Sequence, residues 1–92
     1  MDILVNCAGI LVLGAVDSHT TEDYDRVMNL NTRSAFILTR ATAPHLTSSK
    51  GNMIHISSVA GIRPFPGMLG YCVSKAAMDQ LVRSVGQLVS LL

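Results

Sequence analysis

Two short apolar runs, Ile3-Leu4-Val5 and Met53 to Ser57, constrain this chain most. The first holds no polar residue and stops at Asn6-Cys7-Ala8-Gly9, as a strand buried on both faces of a parallel sheet does. The second puts Ile54 and Ile56 on one side of a strand. Parallel strands need a long crossover, and the intervening sequence supplies a helical one. Thr20 and Asp23 stand at capping-box spacing, and from there to about Leu46 a stripe runs through Val27, Leu30, Asn31, Ser34, Leu38 and Ala41. Ser48-Ser49-Lys50-Gly51 ends it. After an irregular loop marked by Gly61, Pro64, Pro66 and Gly67, a second helix starts near Gly70 or Tyr71. It carries Met78, Leu81, Val82, Val85 and Leu88 at helical spacing. Strand, helix, strand, helix predicts the α/β class with a right-handed parallel crossover. Two parallel strands cannot cover their own faces and edges, so the expected architecture is a slice of a larger doubly wound sheet.

Composition narrows the function classes. At 92 residues the chain is one domain at most, and 49% of it is hydrophobic. A chain of this size buries only about 60–65% of its unfolded surface, so its stability is marginal. The net charge is +1 with no basic cluster, which argues against a nucleic-acid partner. Cys7 and Cys72 lack paired or metal-like spacing and are expected to be free thiols in a reducing, cytoplasmic setting. His19, His45 and His55 are scattered, so no metal site is expected. The apolar start carries Asp2 where a signal peptide needs basic residues, and no run reaches the 18 or so apolar residues of a membrane span.

The chemistry lies at the expected carboxyl ends of the strands, where open α/β sheets bind ligands. Asn6 to Gly9 leaves the first strand, Ser57-Ser58 leaves the second, and Tyr71 opens the following helix. Tyr71 and Lys75 are four residues apart, one turn on one helical face. An ammonium there favours the tyrosinate, which makes a phenol usable as a general acid or base. Alone the spacing is weak. Each residue also has a plainer reading: Asn31 as a satisfied, helix-kinking amide, Ser58 as an ordinary turn serine, and Tyr71 and Lys75 as an exposed first turn.

Together these segments resemble the middle of the short-chain dehydrogenase/reductase family. Asp2 to Gly9 is similar to the family's Asn-Asn-Ala-Gly segment, with Cys7 in place of the second Asn. Val27 to Asn31 resembles its Asn-containing long helix. Ile56 to Gly61 and Tyr71 to Lys75 match its catalytic segments, with Ser58 standing 27 residues after Asn31 and 13 before Tyr71. The resemblance implies a Rossmann-like fold and interconversion of a carbonyl and an alcohol on a small-molecule substrate. It implies Tyr71 as the acid/base and Lys75 as the residue that tunes it and holds the nicotinamide ribose. Ser58, rather than Ser57, would bind the substrate oxygen, and Asn31 would hold a water that links Lys75 to solvent. Asn6, Ala8 and Gly9 would flank the cofactor's adenosine half, and Arg63 to Met68 would line the substrate pocket.

The cofactor implied is NAD or NADP, with NADP(H) favoured, and the partner implied is a second subunit docked through the two helices. No Gly-rich fingerprint precedes the first strand, and residues Ser84 to Leu92 depart from the family's pattern. Residues 1–92 are therefore expected to form a partial NAD(P)-binding domain. It would lack the Gly-rich βαβ unit and the C-terminal strand and substrate loop, with only part of the cofactor site. The alternative is an inactive short product that acts as a dimerisation module with full-length subunits.

Overall fold

A computed structural model describes residues 1–91, with side chains as far as Val85. Strand β1 spans Ile3–Asn6, helix α1 Thr21–Met28, helix α2 Ser34–Ser49, strand β2 Asn52–His55 and helix α3 Leu69–Leu91. A π-helical segment, Asn29–Arg33, joins α1 to α2, and a 3-10 turn, Val59–Gly61, follows β2. The strands pair in parallel, with Ile3 opposite Asn52 and Asn6 opposite His55. This is the strand–helix–strand–helix order that the sequence predicts, with β2 starting and ending slightly earlier than expected.

Thr20 caps α1: its Oγ1 accepts from the Asp23 amide at 3.1 Å. The reciprocal half of the capping box is absent among the described residues, and the Asp23 carboxylate lies 3.7 Å from the Arg26 guanidinium. At the far end of α2, Lys50 takes the left-handed conformation, φ 55°, that usually falls to glycine. Gly51 serves a different need. A Cβ there would collide with the Asp2 carbonyl, so only glycine lets the chain enter β2 this close to the start of β1.

The expected buried stripe on the first helix needs correction. The residues that bury are Val27, Asn31, Ala35, Thr39, Thr42 and Leu46, whereas Leu30, Leu38 and Ala41 are exposed. From Val27 to Thr39 the steps are four residues long. In a straight α-helix such steps wind off the contact face. The π turn is wider and takes up the extra residue, so the contact face continues at Ala35 rather than at Ser34 and Leu38. On α3, Met78 is buried and Leu81, Val82 and Val85 are half-buried, as predicted, while Leu88 lies outside the described side chains.

Helices cover only one face of the sheet. Leu4, Asn6, Met53 and His55 point towards them and are buried or half-buried. Ile3, Val5, Ile54 and Ile56 point the other way and are 47–61% exposed. Among the described residues the expected burial of both strand faces is therefore not met, and the buried apolar side chains are Val27, Ala35, Leu46, Ala60 and Met78. Among the described residues, no helix is long and apolar enough to cross a membrane.

Candidate active site

The segment that follows β1 loops back onto the start of α3. Gly14 donates to the Gly67 carbonyl at 2.8 Å and accepts from the Leu69 amide at 3.3 Å. This brings Tyr71, in the first turn of α3, to the rim formed by the strand ends. Lys75 follows one turn later, 4% exposed, with its Nζ 5.6 Å from the centre of the Tyr71 ring. That distance lies within the range of cation–π attraction. The ammonium also donates to the Ile56 carbonyl at 3.3 Å, which ties α3 to the end of β2. Of its three N–H groups one is used in this way.

Asn31 sits in the π segment and is 1% exposed. Its Oδ1 accepts from the Ile10 amide at 2.7 Å, and its Nδ2 donates to the Ile10 carbonyl at 2.8 Å and to Ser74 Oγ at 3.0 Å. One side chain thus joins the loop after β1, the helix junction and α3. The plainer reading, an amide satisfied at a helix distortion, describes its contacts. Both donors are spent, so only the second lone pair of Oδ1 or the main-chain carbonyl remains for a water. Ser74, fully buried, passes the connection on: its hydroxyl donates to the Tyr71 carbonyl at 2.8 Å, and its carbonyl accepts from Thr32 Oγ1 at 2.9 Å.

Gly9 completes this corner. A Cβ there would stand 3.3 Å from Asn31 Oδ1 and 3.4 Å from Lys75 Nζ, so a bare, exposed backbone faces both groups. Ala8 is exposed beside it, while Asn6 is buried within the sheet. Asn6 Nδ2 donates to His55 Nδ1 at 3.1 Å, and its carbonyl accepts from the Ile56 amide at 2.8 Å. Asn6 therefore stitches the two strand ends together. Its Oδ1 is buried with no partner among the described residues.

The two serines differ in what their hydroxyls have left to give. Ser57 Oγ donates its only proton to Asp79 Oδ1. Ser58 Oγ accepts from the Ala60 amide at 3.1 Å as the cap of the 3-10 turn, and its proton has no partner among the described residues. Ser74, Thr32 and Asp79 escaped the sequence reading. Asp79 stands in the sequence between Lys75 and Arg83 at four-residue steps, where it reads as an ordinary charged row of a helix.

Burial holds the His55 pKa below its ordinary 6.5, because desolvation penalises the imidazolium. The native state then binds fewer protons than the unfolded chain below pH 6.5, so stability falls as pH drops from there through the lowered native value. Protonation also removes the lone pair that accepts from Asn6. Urea midpoints measured from about pH 8 to about pH 5 should decline, and His55→Gln should flatten the decline. An unchanged slope in the variant would assign the acid sensitivity elsewhere.

Comparison with known proteins places the chain in a family. A sequence profile described as short chain dehydrogenase matches residues 1–90. The 2-(R)-hydroxypropyl-CoM dehydrogenase of Xanthobacter autotrophicus is 40% identical over 89 residues, covering 92% of this chain and 36% of that protein. The cyclopentanol dehydrogenase of Comamonas testosteroni is 40% identical over 79 residues, covering 85% and 32%. The 3-oxoacyl-[acyl-carrier-protein] reductase FabG of Rickettsia bellii is 36% identical over 86 residues, covering 92% and 36%. The chain thus spans about a third of the length of these relatives. Among solved structures, ElxO with NADP bound superposes with a TM-score of 0.92 at 26% identity, over 97% of this chain and 37% of that one. The fold is that of a Rossmann-type sheet cut to two strands, and the chain belongs to the short-chain dehydrogenase family.

Proposed function

We propose that this chain carries the acid/base half of an NAD(P)-dependent oxidoreductase that interconverts a carbonyl and an alcohol, with Tyr71 as the proton donor or acceptor. The observation that carries the reading is the convergence of Tyr71, Lys75, Asn31 and Gly9 at one end of the sheet, where Lys75 also holds the Ile56 carbonyl two residues before Ser58, whose hydroxyl proton has no partner among the described residues. The bound cofactor would supply the hydride. NADP(H) is the favoured form, in line with the NADP in the ElxO structure.

The residues present suit part of that cofactor. Lys75 has N–H groups to spare for sugar hydroxyls, and the exposed backbone of Gly9, beside the exposed Ala8, meets the ammonium with no Cβ between them. Asn6, by contrast, spends its amide and carbonyl inside the sheet, so its support for the site is structural. Ser58 would donate a hydrogen bond to the substrate oxygen where negative charge develops, keeping its proton, and Tyr71 would pass its phenolic proton to that oxygen in reduction. The nearby ammonium stabilises the phenolate left behind. Asn31 would support the resupply of protons by a water held on its remaining lone pair or carbonyl.

A second reading is a dimerisation module, favoured by the exposed apolar surface of α2, where Phe36, Ile37 and Leu38 are 44–48% exposed. The two readings separate by experiment. The protein carrying this segment, given a secondary alcohol and NAD+ or NADP+, should reduce the nicotinamide. Complete absence of alcohol-dependent reduction in the folded protein would overturn the first reading. The 92-residue chain by itself, titrated with NADPH and followed by cofactor fluorescence, should show no saturable binding at micromolar cofactor. Under the second reading it should also co-sediment with full-length subunits.

A further inference from the structure

We propose that Asp79 is a positioning residue, one that clamps the Ser57–Gly61 turn onto α3 so that Ser58 presents its free proton to the substrate. The catalytic part of this statement rests on the oxidoreductase reading above, whereas the clamp itself rests on geometry. Asp79 lies one helical turn beyond Lys75, on the helix that also carries Tyr71. Its Oδ1 accepts the Ser57 hydroxyl proton. Its Oδ2 lies against the backbone of Gly61, where a Cβ would collide with it and would also stand 3.3 Å from the Lys75 carbonyl. The carboxylate therefore meets the turn at both of its ends.

The rest of the turn is tied to the same frame. Lys75 Nζ holds the Ile56 carbonyl just before the serines, and the Gly61 amide donates to the Ser58 carbonyl at 2.9 Å. With Ser57 committed to Asp79 and the Ser58 oxygen accepting from the Ala60 amide, the orientation of the Ser58 hydroxyl follows from the turn. Bonds to a charged acceptor are the stronger kind, so the carboxylate is suited to fix a turn whose Ser57 and Val59 are exposed while Ala60 is buried. Asp79 does not touch the substrate in this scheme. It sets the Ser58 hydroxyl relative to Tyr71 because both are referred to one rigid helix.

Amide exchange in the folded chain tests the clamp, and steady-state kinetics of the protein carrying it test the consequence. Asp79→Ala should speed exchange of the Ala60 and Gly61 amides about tenfold and lower kcat by a similar factor, leaving the KM for cofactor unmoved. Asp79→Asn keeps an acceptor oxygen in the same place and should restore most of both. Ser57→Ala, a change at an exposed position, should reproduce the alanine effect, and it remains available if Asp79→Ala does not fold. Unchanged exchange in Asp79→Ala and Ser57→Ala would overturn the clamp. So would a loss in which Asn is no better than Ala. If the parent shows no turnover, the oxidoreductase reading fails alone and exchange still decides the clamp.

Discussion

Tyr71→Phe is expected to lower kcat by about a thousandfold while leaving the thermal midpoint and the affinity for NADPH nearly unchanged. The substitution removes one oxygen from a half-buried ring. The ring that remains still packs against the Lys75 ammonium, and the bonds that hold this turn run through the Tyr71 main chain and Ser74 rather than through the phenol. A group whose hydroxyl takes no part in the fold can be deleted with little structural consequence, so a large fall in rate would report chemistry. Positioned proton transfer contributes roughly a hundred- to ten-thousandfold, which sets the size of the expected loss. Steady-state kinetics on the protein carrying this segment, paired with a fluorescence titration of NADPH, separate the two effects. Turnover within about tenfold of the parent would remove Tyr71 from the acid/base role.

What the sequence could show and what it could not divides along the range of the interactions. β1 and β2 are local patterns: a short apolar run closed by small polar residues is legible because the strand needs nothing else to announce itself. The Tyr71–Lys75 pair is legible for the same reason, since one turn of α3 fixes it. The displaced stripe on the first helix is different. Its register depends on the π turn, and the amide inside that turn bonds to Ile10, 21 residues earlier, and to Ser74, 43 residues later. No window along the helix contains those partners. Asp79 and Ser57, 22 residues apart, escape for the same reason. The bare sheet face marks a limit of another kind. The apolar character of Ile3, Val5, Ile54 and Ile56 is plain in the sequence, but whether anything covers them is a property of the whole assembly. The runs state only that these side chains suit burial.

Asn31→Leu should cost about 2–4 kcal/mol of stability, measured by urea unfolding, because it leaves both main-chain groups of Ile10 without a partner. Leucine keeps the branching of the amide and is somewhat bulkier, so no cavity opens and the loss comes from the missing hydrogen bonds, with any overpacking added to it. Each orphaned group costs about 1–3 kcal/mol when buried, and the partial exposure of Ile10 places the sum towards the lower part of that range. Against a total of about 5–15 kcal/mol for a small domain, such a change removes a large share of the stability and should shift the urea midpoint by a readily measured amount. Ser74→Ala provides the internal comparison. It breaks the link from Asn31 to the Tyr71 carbonyl and orphans one buried N–H of Asn31 but keeps both bonds to Ile10, so its cost should be about 1–2 kcal/mol, below that of Asn31→Leu. Asn31→Leu should be the more damaging of the two because of where the Asn31 amide spends its bonds: two on the loop after β1 and one on α3. Equal costs would move the weight of the junction onto α3, and an unchanged midpoint in Asn31→Leu would mean that the loop after β1 satisfies its backbone elsewhere.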